Sequence, residues 1–303
     1  MRTKTTLFTV FVVVVIFLQL GRTADAIPEI TGEAAVLIDS RNGQLLYEKN
    51  SSQRMYPAST TKILTAIIAL ESGKINDVVT ISAESCNVEG SAIGLQAGEK
   101  LPMIDLLYAM MLNSGNDAAM AIANHVAGSI EGFAELMNKK AAAVGAVNSH
   151  FNNPSGLPDP NHFTTAHDMA LIASYAMQNP EFRKIVATQV RTIERADPLA
   201  QTFFANSNKL LWRYEGAIGV KTGYTNDAGQ CLVSAANRQG RELIAVVFKD
   251  EGSNIWTDSM ALLDYGFNYF DNVCLTQAGK SAGEVEVYYG KSETVPVQTG
   301  SSL

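Results

Sequence analysis

Cysteine is scarce in this chain. Cys86, Cys231 and Cys274 are an odd number at wide spacing. That excludes a disulfide framework and leaves room for at most one bridge, with buried thiols the expectation. Histidine is as thin. His125, His150, His162 and His167 show no zinc spacing and no H-E-x-x-H motif, so no metal is expected and the four read as polar or capping residues. Neither a Walker loop nor G-x-G-x-x-G occurs, and no organic cofactor is called for. Positive charge is not in excess: the net charge is −7, with no long basic run, which argues against a nucleic-acid partner. Long apolar runs are missing too, apart from residues 7–20, LFTVFVVVVIFLQL. That run follows Arg2 and Lys4 and precedes Ala24-Asp25-Ala26, the plan of a secretory signal peptide spanning 1–26 and cut after Ala26. No other stretch approaches the ~18 apolar residues of a membrane span. The mature protein is therefore expected to work outside the cytoplasm, in the wall or at the outer face of the cytoplasmic membrane.

What is present is ordinary globular material: 303 residues, 47% hydrophobic and 17% charged, enough for one large domain or two moderate ones. Residues 34–50 read as two strands around Asn42-Gly43, a hairpin signal that asks for positive φ at both turn residues. A helix is expected to open at Ser59-Thr60-Thr61 and to stop at Gly73. Residues 101–128 form two helical pieces interrupted by Asn113-Ser114-Gly115-Asn116-Asp117, and 133–145 form another helix. The Pro, Gly and Asn content of 152–165 makes it loop. Residues 217–224, 230–237 and 241–249 then read as consecutive strands, followed by a helix over 256–270. Strands at both ends with helices between imply an α+β domain, an antiparallel sheet flanked by helices with an all-helical insertion. It is assigned to 27–274. Residues 275–303 turn polar and β-like, the start of an incomplete C-terminal all-β segment.

The chemistry concentrates in three short patterns. In YPASTTKILTA, Ser59 and Lys62 stand at i and i+3, neighbours on one helical face. A serine hydroxyl is a poor nucleophile until a base takes its proton. A lysine serves if desolvation and nearby positive charge lower its pKa. Ser114 and Asn116 follow at the interhelix break, and Lys221-Thr222-Gly223 lies on an expected strand, the glycine allowing a ligand close to the backbone. Taken singly, each pattern has a plainer explanation: caps for Ser114, Asn116 and Asp117, a solvated strand residue for Lys221, β-branched filler for Thr222.

The ordered set S-x-x-K, S-x-N and K-T-G resembles the signature of penicillin-binding proteins and serine β-lactamases. NSGNDAAMAIA, FNNPSGLPDPNHFTTAHDMALIA, VKTGYTNDAGQCLVSAA and LLDYGFNYF are similar to the low-molecular-mass D-alanyl-D-alanine carboxypeptidases of that superfamily (serine peptidase family S11), across about residues 30–270. The resemblance implies the penicillin-binding fold. It makes peptidoglycan stem peptides ending in D-Ala-D-Ala the substrates and β-lactam antibiotics covalent inhibitors. By the same resemblance Ser59 is the acylated nucleophile, Lys62 its base and Ser114 a proton relay. Asn116 holds the substrate amide, Lys221 and Thr222 beside Gly223 receive the terminal carboxylate, and the backbone N–H groups of Ser59 and Tyr224 form the oxyanion hole. His162, Thr164, Thr165 and Asp168 shape the loop and cap the next helix.

Other functions stay in view. A class A β-lactamase adds a glutamate after the second motif, but residues 136–180 contain no Glu, only Asp159 and Asp168. Endopeptidase or transpeptidase activity, or a non-catalytic wall-binding relative, would share the same motifs. One departure stands out. Relatives carry a basic residue near Ile255-Trp256, and the nearest cations in this chain are Arg241 and Lys249. The resemblance also implies a C-terminal amphipathic helix that lies on the membrane, and residues 275–303 are not expected to form one.

Overall fold

The computed structural model describes residues 27–271, 273, 278–286, 288 and 294–300. The expected leader and Cys274 lie outside them. The chain divides into one compact unit ending at Gly266 and another beginning at Phe267.

The first unit opens with strands β1 (Ala34–Asp39) and β2 (Leu45–Lys49), followed by helix α1 (Lys62–Glu71). The short pair β3 (Val78–Thr80) and β4 (Lys100–Pro102) flanks the one-turn helix α2 (Ala83–Cys86). Helices α3 (Met103–Asn113), α4 (Asn116–Ala127), α5 (Ile130–Ala143), α6 (Ala166–Met177) and α7 (Pro180–Ala187) come next. A hairpin of β5 (Val190–Thr192) and β6 (Phe203–Ala205), then the short helix α8 (Leu210–Arg213), lead to the long strands β7 (Ala217–Thr225), β8 (Gly229–Arg238) and β9 (Arg241–Asp250), and α9 (Asn254–Tyr269) follows. In the second unit β10 (Ser281–Glu286) pairs antiparallel with β11 (Thr294–Gln298).

The main sheet has the order β2-β1-β9-β8-β7 and is antiparallel throughout. The chain's first strands thus pair with its last ones, Val36 opposite Val246, and the helices between are the insertion that the sequence implied. All six residues of β1 are buried, because both faces of this central strand are covered. Ala34, Val36 and Ile38 join Ile244 and Val246 in the main core with α1 and α6. Leu37 and Leu243 face the other way, against Gly266 of α9.

Two local readings change. The β1–β2 connection is not a two-residue turn. Gly43 has φ 70 while Asn42 has none of the positive φ expected of it. The Gly43 amide instead donates to the Asp39 carbonyl at 2.9 Å, which closes a longer loop with the register shifted at Leu37 and Ile38. The β8–β9 turn is the one with positive φ at both centres, Gln239 and Gly240. In addition, α7 and the β5–β6 hairpin had no sequence forecast; β5 is exposed at every position, so it carries no alternation to read. Cys86 and Cys231 are free thiols, half-buried and buried respectively.

Candidate active site

Helix α1 is buried at every position from Lys62 to Ala69, as expected of a helix apolar around most of its circumference. It does not begin at Ser59. Residues Ala58–Thr61 form a 3₁₀ turn, and the α-helix starts at Lys62. The cause is tertiary. Ala58 has φ 46, a conformation that costs an L-residue energy and tends to persist at functional sites. Gly156 presses on it so closely that a Cβ there would fall 1.8 Å from the Ala58 carbonyl oxygen. The result presents the half-buried Ser59 side chain to a cleft while Lys62 turns inward.

Lys62 has no exposed surface. Its Nζ lies 2.8 Å from Ser59 Oγ. It also donates to Asn116 Oδ1 at 2.7 Å and to the Ser155 carbonyl at 2.7 Å. All three partners are uncharged oxygens, and no carboxylate among the described residues pairs with the amine. Burial, reinforced by the positive charge of Lys221, holds its pKa well below 10.5, against a smaller opposing pull from Asp117. Asp117 is itself occupied: its carboxylate accepts from the amides of Ile93 and Leu95 at 3.0–3.1 Å.

Asn116 is the first residue of α4, but its side chain does not cap the helix, nor does that of Ser114. Its Nδ2 donates to the Glu89 carbonyl at 2.6 Å and its backbone amide to the Ser91 carbonyl at 2.7 Å. With Nδ2 spoken for, Oδ1 must face Lys62. Ser114 ends α3 in the left-handed region, φ 64, and makes the sharp break between α3 and α4. Its hydroxyl has no hydrogen bond to Lys62 among the described residues, so the structure brings it to the neighbourhood without joining it to the network.

Strand β7 is the sheet edge beside the 3₁₀ turn. Lys221 is 1% exposed, not the solvated strand residue of the plainer reading; burial pushes it down to about 7, and its Nζ donates to the Thr222 carbonyl at 3.1 Å. Thr222 Oγ1 lies 2.7 Å from Ser207 Oγ. Gly223 is where the strand and the 3₁₀ turn of Ser59 meet: a Cβ there would stand 2.9 Å from the Ser59 amide nitrogen and 3.1 Å from the Pro57 carbonyl oxygen. Tyr224 is exposed at the cleft edge.

A cleft of about 650 Å³ is lined by Ser59, Asn116, Ser155 and Gly156 together with Glu89-Gly90-Ser91 and Tyr224. Ser155, whose carbonyl holds Lys62, and Gly156 were not singled out from sequence. The Pro-Ser-Gly triplet inside the 152–165 loop was the available signal. That loop is set by His162, which is 1% exposed. The Asn152 amide donates to His162 Nδ1 at 3.1 Å, so the proton sits on Nε2, 2.9 Å from Thr61 Oγ1. Burial pushes this imidazole down to about 4. Thr165 caps α6, its hydroxyl accepting from the Asp168 amide at 3.0 Å. Asp168 accepts from the Asn148 amide and Ser149 hydroxyl at 2.7 and 2.8 Å, and Asp159 accepts from Asn152 Nδ2 and the Asn161 amide at 2.7 Å. Neither carboxylate of this segment borders the cleft. The two cations considered for the Ile255-Trp256 departure are engaged elsewhere: Arg241 lies 3.5 Å from Asp39 and Lys249 2.6 Å from Glu33. Lys209 is the cation that reaches Trp256, 5.6 Å from the ring centre.

A family model described as D-alanyl-D-alanine carboxypeptidase, Peptidase_S11, matches residues 21–252. The chain belongs to this family. D-alanyl-D-alanine carboxypeptidase DacF of Bacillus subtilis (strain 168) is 34% identical over 281 residues, covering 89% of this chain and 71% of its own. DacA of Haemophilus influenzae is 37% identical, covering 88% and 70%. Among solved structures, DacD of Francisella tularensis superposes with a TM-score of 0.79 at 30% identity, covering 93% of this chain and 82% of that one. The Streptomyces K15 DD-transpeptidase gives 0.76 at 32%, covering 80% and 99%. The α+β fold expected from the motifs is therefore the fold of this family.

Two predictions follow from the packing around Ser59. Gly223→Ala drives a methyl group into backbone atoms that cannot yield, so acylation of Ser59 by a fluorescent penicillin should slow by roughly 10–100-fold. For His162, the neutral form that the fold favours confers stability above 6.5, and this is lost as pH falls from 6.5 towards about 4. The difference is worth at most about 3 kcal/mol. Urea unfolding at successive pH values should show His162→Gln less stable than the parent at neutral pH, with the gap closing as the solution is acidified.

Proposed function

We propose that this chain removes the terminal D-alanine from peptidoglycan stem pentapeptides through a seryl ester on Ser59. The observation that carries the reading is the contact between Ser59 Oγ and a fully buried lysine whose other neighbours are neutral oxygens.

An unprotonated amine has two N–H groups and one lone pair. At Lys62 the N–H groups are taken by Asn116 Oδ1 and the Ser155 carbonyl, which leaves the lone pair for the Ser59 hydroxyl. As Oγ attacks the carbonyl carbon of the penultimate D-alanine, the Ser59 proton passes to Lys62. The carbonyl oxygen becomes an oxyanion received by the backbone N–H groups of Ser59 and Tyr224, and one such donor is typically worth ~10²–10³ in rate. Collapse breaks the C–N bond. The departing amine takes the proton back from Lys62, and free D-alanine leaves. Water then attacks the ester carbonyl, giving a proton to Lys62; the acyl–Oγ bond breaks, Oγ takes that proton back, and the shortened peptide leaves as its carboxylic acid. Lys221 and Thr222 receive the substrate's terminal carboxylate. Asn116 holds the peptide amide.

The leader at 1–26 supports an extracytoplasmic location, with a catalytic domain over 27–274 and a β segment after it. No helix among the described residues is long and apolar enough to cross a membrane. The β-lactamase alternative needs a carboxylate to drive water onto the ester. Asp159 and Asp168 are committed to loop contacts instead.

The test is intact-protein mass spectrometry after benzylpenicillin, with D-alanine release from a pentapeptide assayed alongside. A long-lived adduct on Ser59, and loss of D-alanine release in Ser59→Ala, are expected. An adduct elsewhere, no adduct, or penicillin turnover faster than about one per minute would overturn the reading.

A further inference from the structure

Residues 89–99 contain almost no regular structure, yet Glu89, Gly90 and Ser91 at their start line the cleft. Two buried charged groups hold this segment by its backbone. Asp117 takes the amides of Ile93 and Leu95. From the other side comes Arg195, in the loop that joins β5 to β6. Its side chain is fully buried, and every N–H of its guanidinium has an acceptor. Nε and Nη2 form a fork on the Glu99 carboxylate, both at 2.8 Å. Nη1 donates to the Ile93 and Gln201 carbonyls at 2.8 and 3.2 Å, and Nη2 to the Gly94 carbonyl at 2.9 Å. Bidentate charge-assisted bonds of this kind fix geometry as well as adding energy.

The segment held in this way delivers the Glu89 and Ser91 carbonyls to Asn116. The Ser91 carbonyl fixes the Asn116 backbone, and the Glu89 carbonyl, by taking Nδ2, decides which way the side-chain amide points and so leaves Oδ1 facing Lys62. We propose that Arg195 is a positioning residue for acylation: by fixing the segment 89–99 it keeps Asn116 Oδ1 on the Lys62 amine. It touches neither substrate nor nucleophile. An amide that turns Nδ2 towards Lys62 offers a donor where the amine needs an acceptor, and the lone pair then loses its alignment with Ser59. The proposal rests on the acylation site described above.

The test uses the rate of acylation by a fluorescent penicillin, per titrated active site, well below each variant's melting midpoint. Arg195→Gln should acylate about tenfold more slowly than the parent, the scale expected of a small misplacement remote from the chemistry. Introduced into Asn116→Ala, the same change should cost less than about threefold, because the residue through which it acts is gone. Should Arg195→Gln not fold, Glu99→Gln releases one side of the fork and is put through the same cycle with the same expectation. Acylation of the folded variant at the parental rate, or a loss of threefold or more on top of Asn116→Ala, overturns the inference. A parent protein that is not acylated at all would sink the functional reading instead, so the two failures are distinguishable.

Discussion

A lysine amine buried without a carboxylate partner is the constraint on which the rest of the site depends. Taking an ammonium out of water is costly, and proteins ordinarily answer with an ion pair or by giving up the proton. Around Lys62 the first answer is withheld. Asp117 is close enough to be felt, but its oxygens are held by the amides of Ile93 and Leu95. Lys221 adds a like charge that also has no exposed surface to speak of. What remains is an amine whose pKa is held well below 10.5, set 2.8 Å from a hydroxyl.

The surroundings are arranged to bear that cost. Helix α1 lies at the centre of the domain and supplies the burial. The sheet edge at β7 closes over the nucleophile turn through Gly223, and the 152–165 loop closes over it from another side through Gly156. Between them the turn keeps Ala58 in a left-handed conformation, and Ser114 does the same at the α3–α4 break. Two strained residues beside one cleft are a cost that the surrounding packing must offset, and such strain concentrates where geometry matters more than stability. The neutral, buried His162 contributes by tying the loop to Thr61, one residue before the amine.

Much of this was open to reading in the chain itself, for physical reasons that differ from residue to residue. Ser59 and Lys62 could be picked out because polar groups open an otherwise apolar helix, and Asn116 and Lys221 because they complete an ordered set of short motifs. Terminal strands around a helical middle gave the sheet its plan, and β1 and β9 duly pair. What could not be read was supplied by backbone or by distance. The Ser155 carbonyl holds Lys62 without any side-chain signal. Arg195 and Glu99 form a buried fork across a long sequence separation, and neither resembles a motif. The 3₁₀ entry to α1 follows from the approach of Gly156, and the longer β1–β2 loop from a hydrogen bond back to Asp39; local propensity speaks to neither. The Ser114 hydroxyl was cast as a relay by resemblance, yet no hydrogen bond links it to Lys62.

The central claim is the ionisation state of one nitrogen, and it can be observed directly. Heteronuclear NMR of protein labelled at the lysine side chains would report Lys62, its signal assigned by disappearance in Lys62→Arg. The account predicts the chemical shift of a neutral amine at neutral pH and a titration well below 10.5. A Lys62 signal that stays an ammonium through neutral pH and titrates at the ordinary lysine value would contradict it.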